Sequence, residues 1–409
     1  MAVVTDVATS PRPQLGPTAL FALGVNGIVG VGIFVAPPTV AAAVPGGAGA
    51  LLYVAIAVAC LPIALAYARL ARAMPSDGGP VLYAARAFGA RASGGVGVLV
   101  WVSSLLSTAA VTRALAELFT SSARMAPFAP FVAAAIVVAL VLVNLRGLRL
   151  SAYAWTALTA LKLAPLLVVA ALGAILASDG AHTSRAADGS LGRALLAILF
   201  ALQGFEIVPL PAGQVRDPER VVPRATVGAL VASGALYAAI HFGCARALPD
   251  LASQTEPIPA AAFALGGSRL AWAVSAGVAA SIGGIVVGMH AMTPRYLSAA
   301  VRVVPVRVDV GAIVVSAAIV LPLAVVGSVG ALVDLAAAAV LAQYGATAIA
   351  LATLALRRRE GLAPRDAWPV PAALAVVGVL LAQTGLRELA VGAGVAAVGA
   401  IAASVMRKS

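Results

Sequence analysis

The sequence predicts an all-α integral membrane fold of about twelve transmembrane helices, the first and sixth of them discontinuous. Three observations carry that prediction. The 409 residues are 62% hydrophobic and only 10% charged, with a mean hydropathy of +1.03. A soluble domain of this size needs far more polar surface to cover it. Apolar runs long enough to cross a bilayer recur along the whole chain, separated by short polar connections. Finally, two of those runs collect helix-weakening residues at mid-depth, where a membrane helix has no water to satisfy loose backbone groups.

In chain order, the expected spans are Thr18–Val44, Ala48–Arg69, Ser93–Phe119, Pro127–Leu145, Ala152–Ala177, Leu191–Ala212, Pro223–Arg246, Arg269–Met292, Val310–Val326, Val329–Leu356, Pro369–Gln383 and Leu386–Met406. The first contains Asn26 to Pro38, with Gly27, Gly30, Gly32 and the pair Pro37-Pro38. We expect Gly30, Val31 and Gly32 to be unwound and the helix to restart around Pro37, because proline suits a first helical position. Such a break puts free amides at one half-helix end and free carbonyls at the other. One side then suits a carboxylate and the other an ammonium or small cation. Close helix packing is the bland alternative for the glycines, but it has no use for the prolines. Between the second and third spans, Pro75 to Gly89 is too short to cross, and Tyr83, Phe88 and Arg86 suit a small interfacial helix. The sixth span carries the second break, Phe200-Ala201-Leu202-Gln203-Gly204-Phe205-Glu206, followed by Pro209 and Pro211. Glycine, glutamine and a carboxylate at that depth are costly unless they face a cavity. Five spans lie from one break to the next, so the two broken spans run in opposite directions, as two inverted repeats require.

Charge sets orientation and excludes several functions. The net charge is +12, from 27 Lys+Arg against 15 Asp+Glu, and Lys162 and Lys408 are the only lysines. The arginines punctuate the spans without forming a stripe, which reads as topology and not as nucleic-acid binding. They cluster after the even-numbered spans, as Arg72, Arg86 and Arg91, or Arg357, Arg358 and Arg359. Both termini are therefore expected in the cytoplasm, and the chain in the plasma membrane. No glycine-rich loop precedes either lysine, so no nucleotide-binding motif is present. Cys60, Cys244, His182, His241 and His290 are scattered, without metal-ligand spacing, and no cofactor is implied. A nucleophile–base pair is not visible at depth either, so an enzyme is not expected. A channel would want a polar lining that these spans do not supply.

The stretches Gly27-Ile28-Val29-Gly30-Val31-Gly32-Ile33-Phe34, Gly78-Gly79-Pro80 through Ala87-Phe88-Gly89, and Gly204-Phe205-Glu206 continuing to Asp217-Pro218-Glu219-Arg220 and Pro223-Arg224-Ala225 occur in order along nearly the whole chain. Together they resemble the amino acid–polyamine–organocation transporter family. The resemblance implies a LeuT-type 5+5 inverted repeat: residues 1–16 as a tail, 17–178 and 190–357 as the two repeats, and 367–409 as two further helices. It implies an amino acid or related amine as substrate. The carboxylate would sit on the amides of Gly30, Val31 and Gly32, and the ammonium on carbonyls near Ile28, Phe200 and Gln203, with Phe200 as an aromatic gate.

Lys162 stands near the centre of the fifth span, too deep to reach an interface easily. A buried ammonium is costly unless paired, so its protonation could follow the transport state; the alternative is a permanently paired structural lysine. In some proton-coupled members of the family a lysine here replaces sodium. By that resemblance Lys162 would touch carbonyls around Asn26 to Val29 and the hydroxyl of Ser281. Glu206 either bonds the broken backbone while protonated or selects cationic substrates as an anion. Ser103, Ser104, Ser107 and Thr108 in the third span are pocket candidates that could equally satisfy themselves on helix carbonyls. Gln343 and Tyr344 in the tenth span offer a weaker signal. The expected activity is proton symport of an amino acid into the cell by alternating access, with exchange or export of an amino acid or polyamine as the alternative.

Overall fold

The computed structural model describes residues 15–76, 78–122, 124–146, 152–176, 189–301 and 310–385. Among these, thirteen α-helices follow one another with short 3₁₀ turns between them: α1 Pro17–Ile28, α2 Gly32–Ala43, α3 Gly49–Ala73, α4 Gly79–Phe88, α5 Ala90–Phe119, α6 Ala129–Leu145, α7 Ala152–Leu176, α8 Leu191–Leu202, α9 Pro218–Ala247, α10 Pro257–Val301, α11 Val310–Val326, α12 Val329–Leu356 and α13 Val370–Leu381. Six of the helical stretches are long and apolar enough to cross a bilayer, and α1 with α2 forms a further span bent by 50°. The sixth expected span falls short of that length because its helix stops at Leu202 and continues only as 3₁₀ turns, Phe205–Ile207 and Ala212–Gln214. The expected twelfth span, Leu386–Met406, lies outside the described residues.

Helix packing has the internal symmetry that inverted repeats demand. The span α1–α2 meets α8, α3 meets α9, α5 meets α10, and α6 meets α11, so four of the first five spans pack on the one five spans later, while α7 packs on α9 and α10 instead of α12. The core is apolar but holds five fully buried tyrosines, Tyr53, Tyr67, Tyr83, Tyr237 and Tyr344. A phenol keeps a polar tip, so each is a place where the interior needs a partner or water.

Two expectations need correction. The first span restarts at Gly32, not around Pro37, and both prolines lie inside α2. Proline at these positions removes N–H groups whose partners would be the carbonyls of Ile33 and Phe34, so α2 can continue at the cost of two hydrogen bonds. The short helix α4 is not merely interfacial, because Val81, Tyr83, Ala84 and Ala87 are buried and the helix packs on α5 and α12. Its outer face leaves Arg86 to reach Glu360 at 3.4 Å. Within α10, Gly266 and Gly267 depart from helical geometry, the latter at φ 70°, so the apolar span proper begins after them.

Candidate functional site

The first break is built by the end of one helix and the start of another. Val29 caps α1 in an extended conformation, with its N–H on the Val25 carbonyl at 2.8 Å. Val31 then accepts from the Phe34 amide at 2.9 Å as α2 begins. The amides of Val31, Gly32 and Ile33 make no hydrogen bond among the described residues, and the side chains of Val31 and Ile33 are buried. Unpaired amides at a buried helix start point their partial positive charge into the break. An anion is the natural partner for such a place.

Across from it, α8 ends at Leu202 and Gln203 is extended, with its N–H shared between the Leu199 and Phe200 carbonyls at 3.1 and 3.3 Å. Gly204 follows at φ 121°, a conformation that side-chain-bearing residues rarely adopt. The two breaks touch backbone to backbone. A Cβ on Gly204 would overlap the Gly27 carbonyl, and a Cβ on Gly32 would overlap the backbone of Ala201. The glycines therefore do both jobs that the sequence allowed, since Gly27 and Gly32 pack tightly at the same place where the helix is interrupted.

Side chains from neighbouring helices occupy several of the exposed backbone groups. Tyr237 on α9 donates to the Ile28 carbonyl at 2.8 Å, and its hydroxyl lies against the backbone of Gly30, so one phenol spans the first break. Glu206 accepts from the Gly204 amide at 2.8 Å and from the Tyr344 hydroxyl on α12 at 2.9 Å. Its carboxylate thus holds the second break against α12. Tyr344 in turn stacks on Phe205 at 5.2 Å and edge-on to Tyr67 at 6.0 Å, and the Tyr67 hydroxyl accepts from Gln343 and Thr347. Gln203 keeps a buried amide nitrogen with no partner among the described residues, and Phe200 is buried beside it on α8.

Of the remaining candidates, Asn26 and Val29 sit at the end of α1, and both are engaged in interactions there. Ser281 on α10 is buried, with a hydroxyl that makes no hydrogen bond among the described residues. Helix α7 packs against both α1 and α10, and Pro165 abuts Gly277 one turn before Ser281. Lys162 belongs to α7, but its side chain lies outside the described residues. The hydroxyls of Ser104 and Thr108 are engaged with α10 and with their own helix. Ser104 bonds Thr293 of α10 at 2.6 Å, while Thr108 bonds Thr293 at 2.8 Å and the Ser104 carbonyl at 2.6 Å. Thr293 lies eight residues along α10 from Ile285, which touches Gly30, or about 12 Å at 1.5 Å per residue.

Sequence reasoning overlooked Tyr237 and Thr293. A phenol at mid-span in an apolar helix was the available signal, because it must find a partner at depth. For Thr293 the neighbouring Pro294 was the clue, since proline frees the carbonyl four residues earlier.

A family model described as amino acid permease matches residues 15–303. An uncharacterized transporter of Mycobacterium tuberculosis is 30% identical, covering 98% of this chain and 93% of its own length. The serine/threonine exchanger SteT of Bacillus subtilis is 25% identical over 69% of this chain and 67% of its own. The human cationic amino acid transporter 4 is 26% identical over 72% of this chain and 50% of its own. Among solved structures, Mhp1, a nucleobase-cation-symport-1 family transporter captured closed with bromovinylhydantoin, superposes with a TM-score of 0.56 at 16% identity, covering 98% of this chain and 96% of that one. At that identity the likeness shows the fold, in accord with the helix pairing described above.

Proposed function

The chain belongs to the amino acid permease family, and from that premise we propose that it imports an amino acid by proton symport, holding the substrate at the paired helix breaks. The observation that carries this reading is the set of bare amides at Val31, Gly32 and Ile33, packed against the end of α8. A carboxylate on those amides gains charge-assisted hydrogen bonds in a water-poor setting, where such bonds are strong. The ammonium group goes to the remaining lone pairs of the Ile28 and Phe200 carbonyls and to the carbonyl face of Gln203. Tyr237 donates one hydrogen to the Ile28 carbonyl, which leaves a second lone pair for the substrate. Glu206 is committed to the Gly204 amide and Tyr344, and so acts on the substrate through the shape of the second break.

Coupling is assigned to Lys162. Its helix lies between α1 and α10, and the hydroxyl of Ser281, which has no partner among the described residues, offers one at the level of Pro165 and Gly277. Protonated Lys162 would tie the carbonyls around Asn26 to Val29 to Ser281. Loss of the proton would weaken that tie and favour the state open to the cytoplasm, which is a population shift and not a new contact. In alternating access α1–α2, α3, α8 and α9 move as one body against α5, α6, α10 and α11, while α7 gates the inner path. The arginine distribution supports a cytoplasmic position for both termini.

Exchange is the second reading, favoured by the likeness to a serine/threonine exchanger. Proteoliposomes separate the two. A symporter accumulates labelled amino acid into empty vesicles when an inward pH gradient is imposed, whereas an exchanger takes up label only when counter-substrate fills the lumen. Uptake under neither condition, across amino acids and polyamines, would refute the transport reading.

A further inference from the structure

Away from the helix breaks, α5, α6, α10 and α11 border a small, mostly apolar cavity, where Val141, Ile313, Ala317 and Val320 line one part and Thr108, Asn144, His290, Thr293 and Ser316 supply a few polar groups. Measured by the centre of a water-sized sphere it holds about 10 Å³, which is room for one water molecule. Pro294 accounts for one of the polar groups there. Having no N–H, it cannot pair with the carbonyl four residues earlier, and that residue is His290. The orphaned carbonyl is taken instead by the Asn144 side-chain amide of α6, at 3.0 Å. That bond fixes which way Asn144 faces: its nitrogen donates to His290, so its oxygen is left as an acceptor.

The other partners are fixed by the same accounting. His290 is 6% exposed, and its Nδ1 lies 2.9 Å from the Val286 carbonyl, which can only accept. The proton therefore sits on Nδ1, and Nε2 is an acceptor, buried and without a partner among the described residues. Ser316 accepts the indole N–H of Trp101 at 3.0 Å, so its own hydroxyl hydrogen remains to be given. Thr108 gives its hydrogen to the Ser104 carbonyl and Thr293 gives its own to Thr108, so each can still accept but not donate. The cavity thus presents His290 Nε2 and Asn144 Oδ1 as acceptors, besides the remaining lone pairs of Thr108 and Thr293, and one open donor, Ser316 Oγ–H.

We infer that this cavity binds a single structural water, which donates to His290 Nε2 and Asn144 Oδ1 and accepts from Ser316. Three hydrogen bonds is the usual complement of a buried water. A metal cation would leave the Ser316 hydrogen pointing at like charge, and a larger ligand does not fit the volume. The water closes a polar ring around the proline of α10 and ties together the four helices that our functional reading treats as the static body. The inference itself does not depend on that reading, because it concerns the resting protein without substrate.

A density map of the substrate-free wild-type protein at a resolution that shows ordered waters tests it directly. The expected result is one peak within hydrogen-bond distance of His290 Nε2, Asn144 Oδ1 and Ser316 Oγ. An empty cavity, or density that contacts none of these atoms, overturns the inference. A pair of variants supplies an independent measurement. His290→Gln keeps an acceptor for the water, while His290→Leu removes it, so the leucine variant should melt lower than the glutamine variant by about 2 °C or more. Equal melting temperatures for the two would overturn it as well, and if neither variant folds the wild-type map decides.

Discussion

Replacing Gly204 with alanine strikes the place where the two broken helices meet. At φ 121° a residue with a Cβ is strained wherever it has space, by about 1–3 kcal/mol. Here it has no space, because the added methyl would overlap the Gly27 carbonyl and press on the Ile28 amide. Neither obstacle is a flexible side-chain tip; both are backbone at the first break. Moving them apart adds an overpacking cost of about 1–3 kcal/mol. The two together come to about 2–6 kcal/mol, which lowers the fraction of molecules with both breaks in register at least about 30-fold at 1.4 kcal/mol per decade. Gly330 on α12 is the control, since a Cβ there meets nothing within 4 Å. The assay is initial-rate uptake in proteoliposomes with melting temperature measured alongside. We expect Gly204→Ala to lose uptake and Gly330→Ala to keep it. Wild-type uptake by Gly204→Ala would refute the claim that the breaks are pressed together in the working protein.

Three further outcomes are expected. Tyr237→Phe removes the 2.8 Å bond to the Ile28 carbonyl, so substrate affinity should fall about fivefold, for a net hydrogen bond of about 1 kcal/mol; isothermal titration reads this, and an unchanged Kd would mean the phenol does not shape the break. Tyr344→Phe takes from Glu206 the hydroxyl that ties it to α12 and leaves it only backbone amides, and losing that bond to a buried carboxyl group should cost about 1–3 kcal/mol of stability; an unchanged denaturation midpoint would contradict the pairing. Lys162→Ala should abolish accumulation driven by a pH gradient in proteoliposomes, and a variant that still concentrates substrate under the gradient would sink the coupling assignment.

Much of the architecture was legible in the sequence because the bilayer imposes it. Long apolar runs, arginine-rich connections and mid-span glycines are consequences of a solvent that tolerates no loose backbone. The breaks at Gly30 and Gly204 stood out for that reason. The restart at Gly32 did not, because proline preference for a first turn is a local rule, and packing of Gly32 on Ala201 overrode it. The assignment of single side chains was harder. Ser104 and Thr108 are polar residues one turn apart on one face, as a pocket would need, yet they satisfy each other and Thr293, a partner about 190 positions away that no local pattern reveals. Glu206 likewise gave two readings until Tyr344, 138 residues on, fixed what its carboxylate bonds to. Distances between helices are what sequence periodicity omits, and the polar bonds that cross those distances decide which candidates face the site.

The most direct measurement is an experimental structure of the protein with its transported amino acid bound. The account predicts substrate density at the junction of α1, α2 and α8, with the carboxylate within hydrogen-bond distance of the amides of Val31, Gly32 and Ile33. Substrate bound elsewhere, or bound at the junction with its carboxylate turned away from those amides, would contradict it.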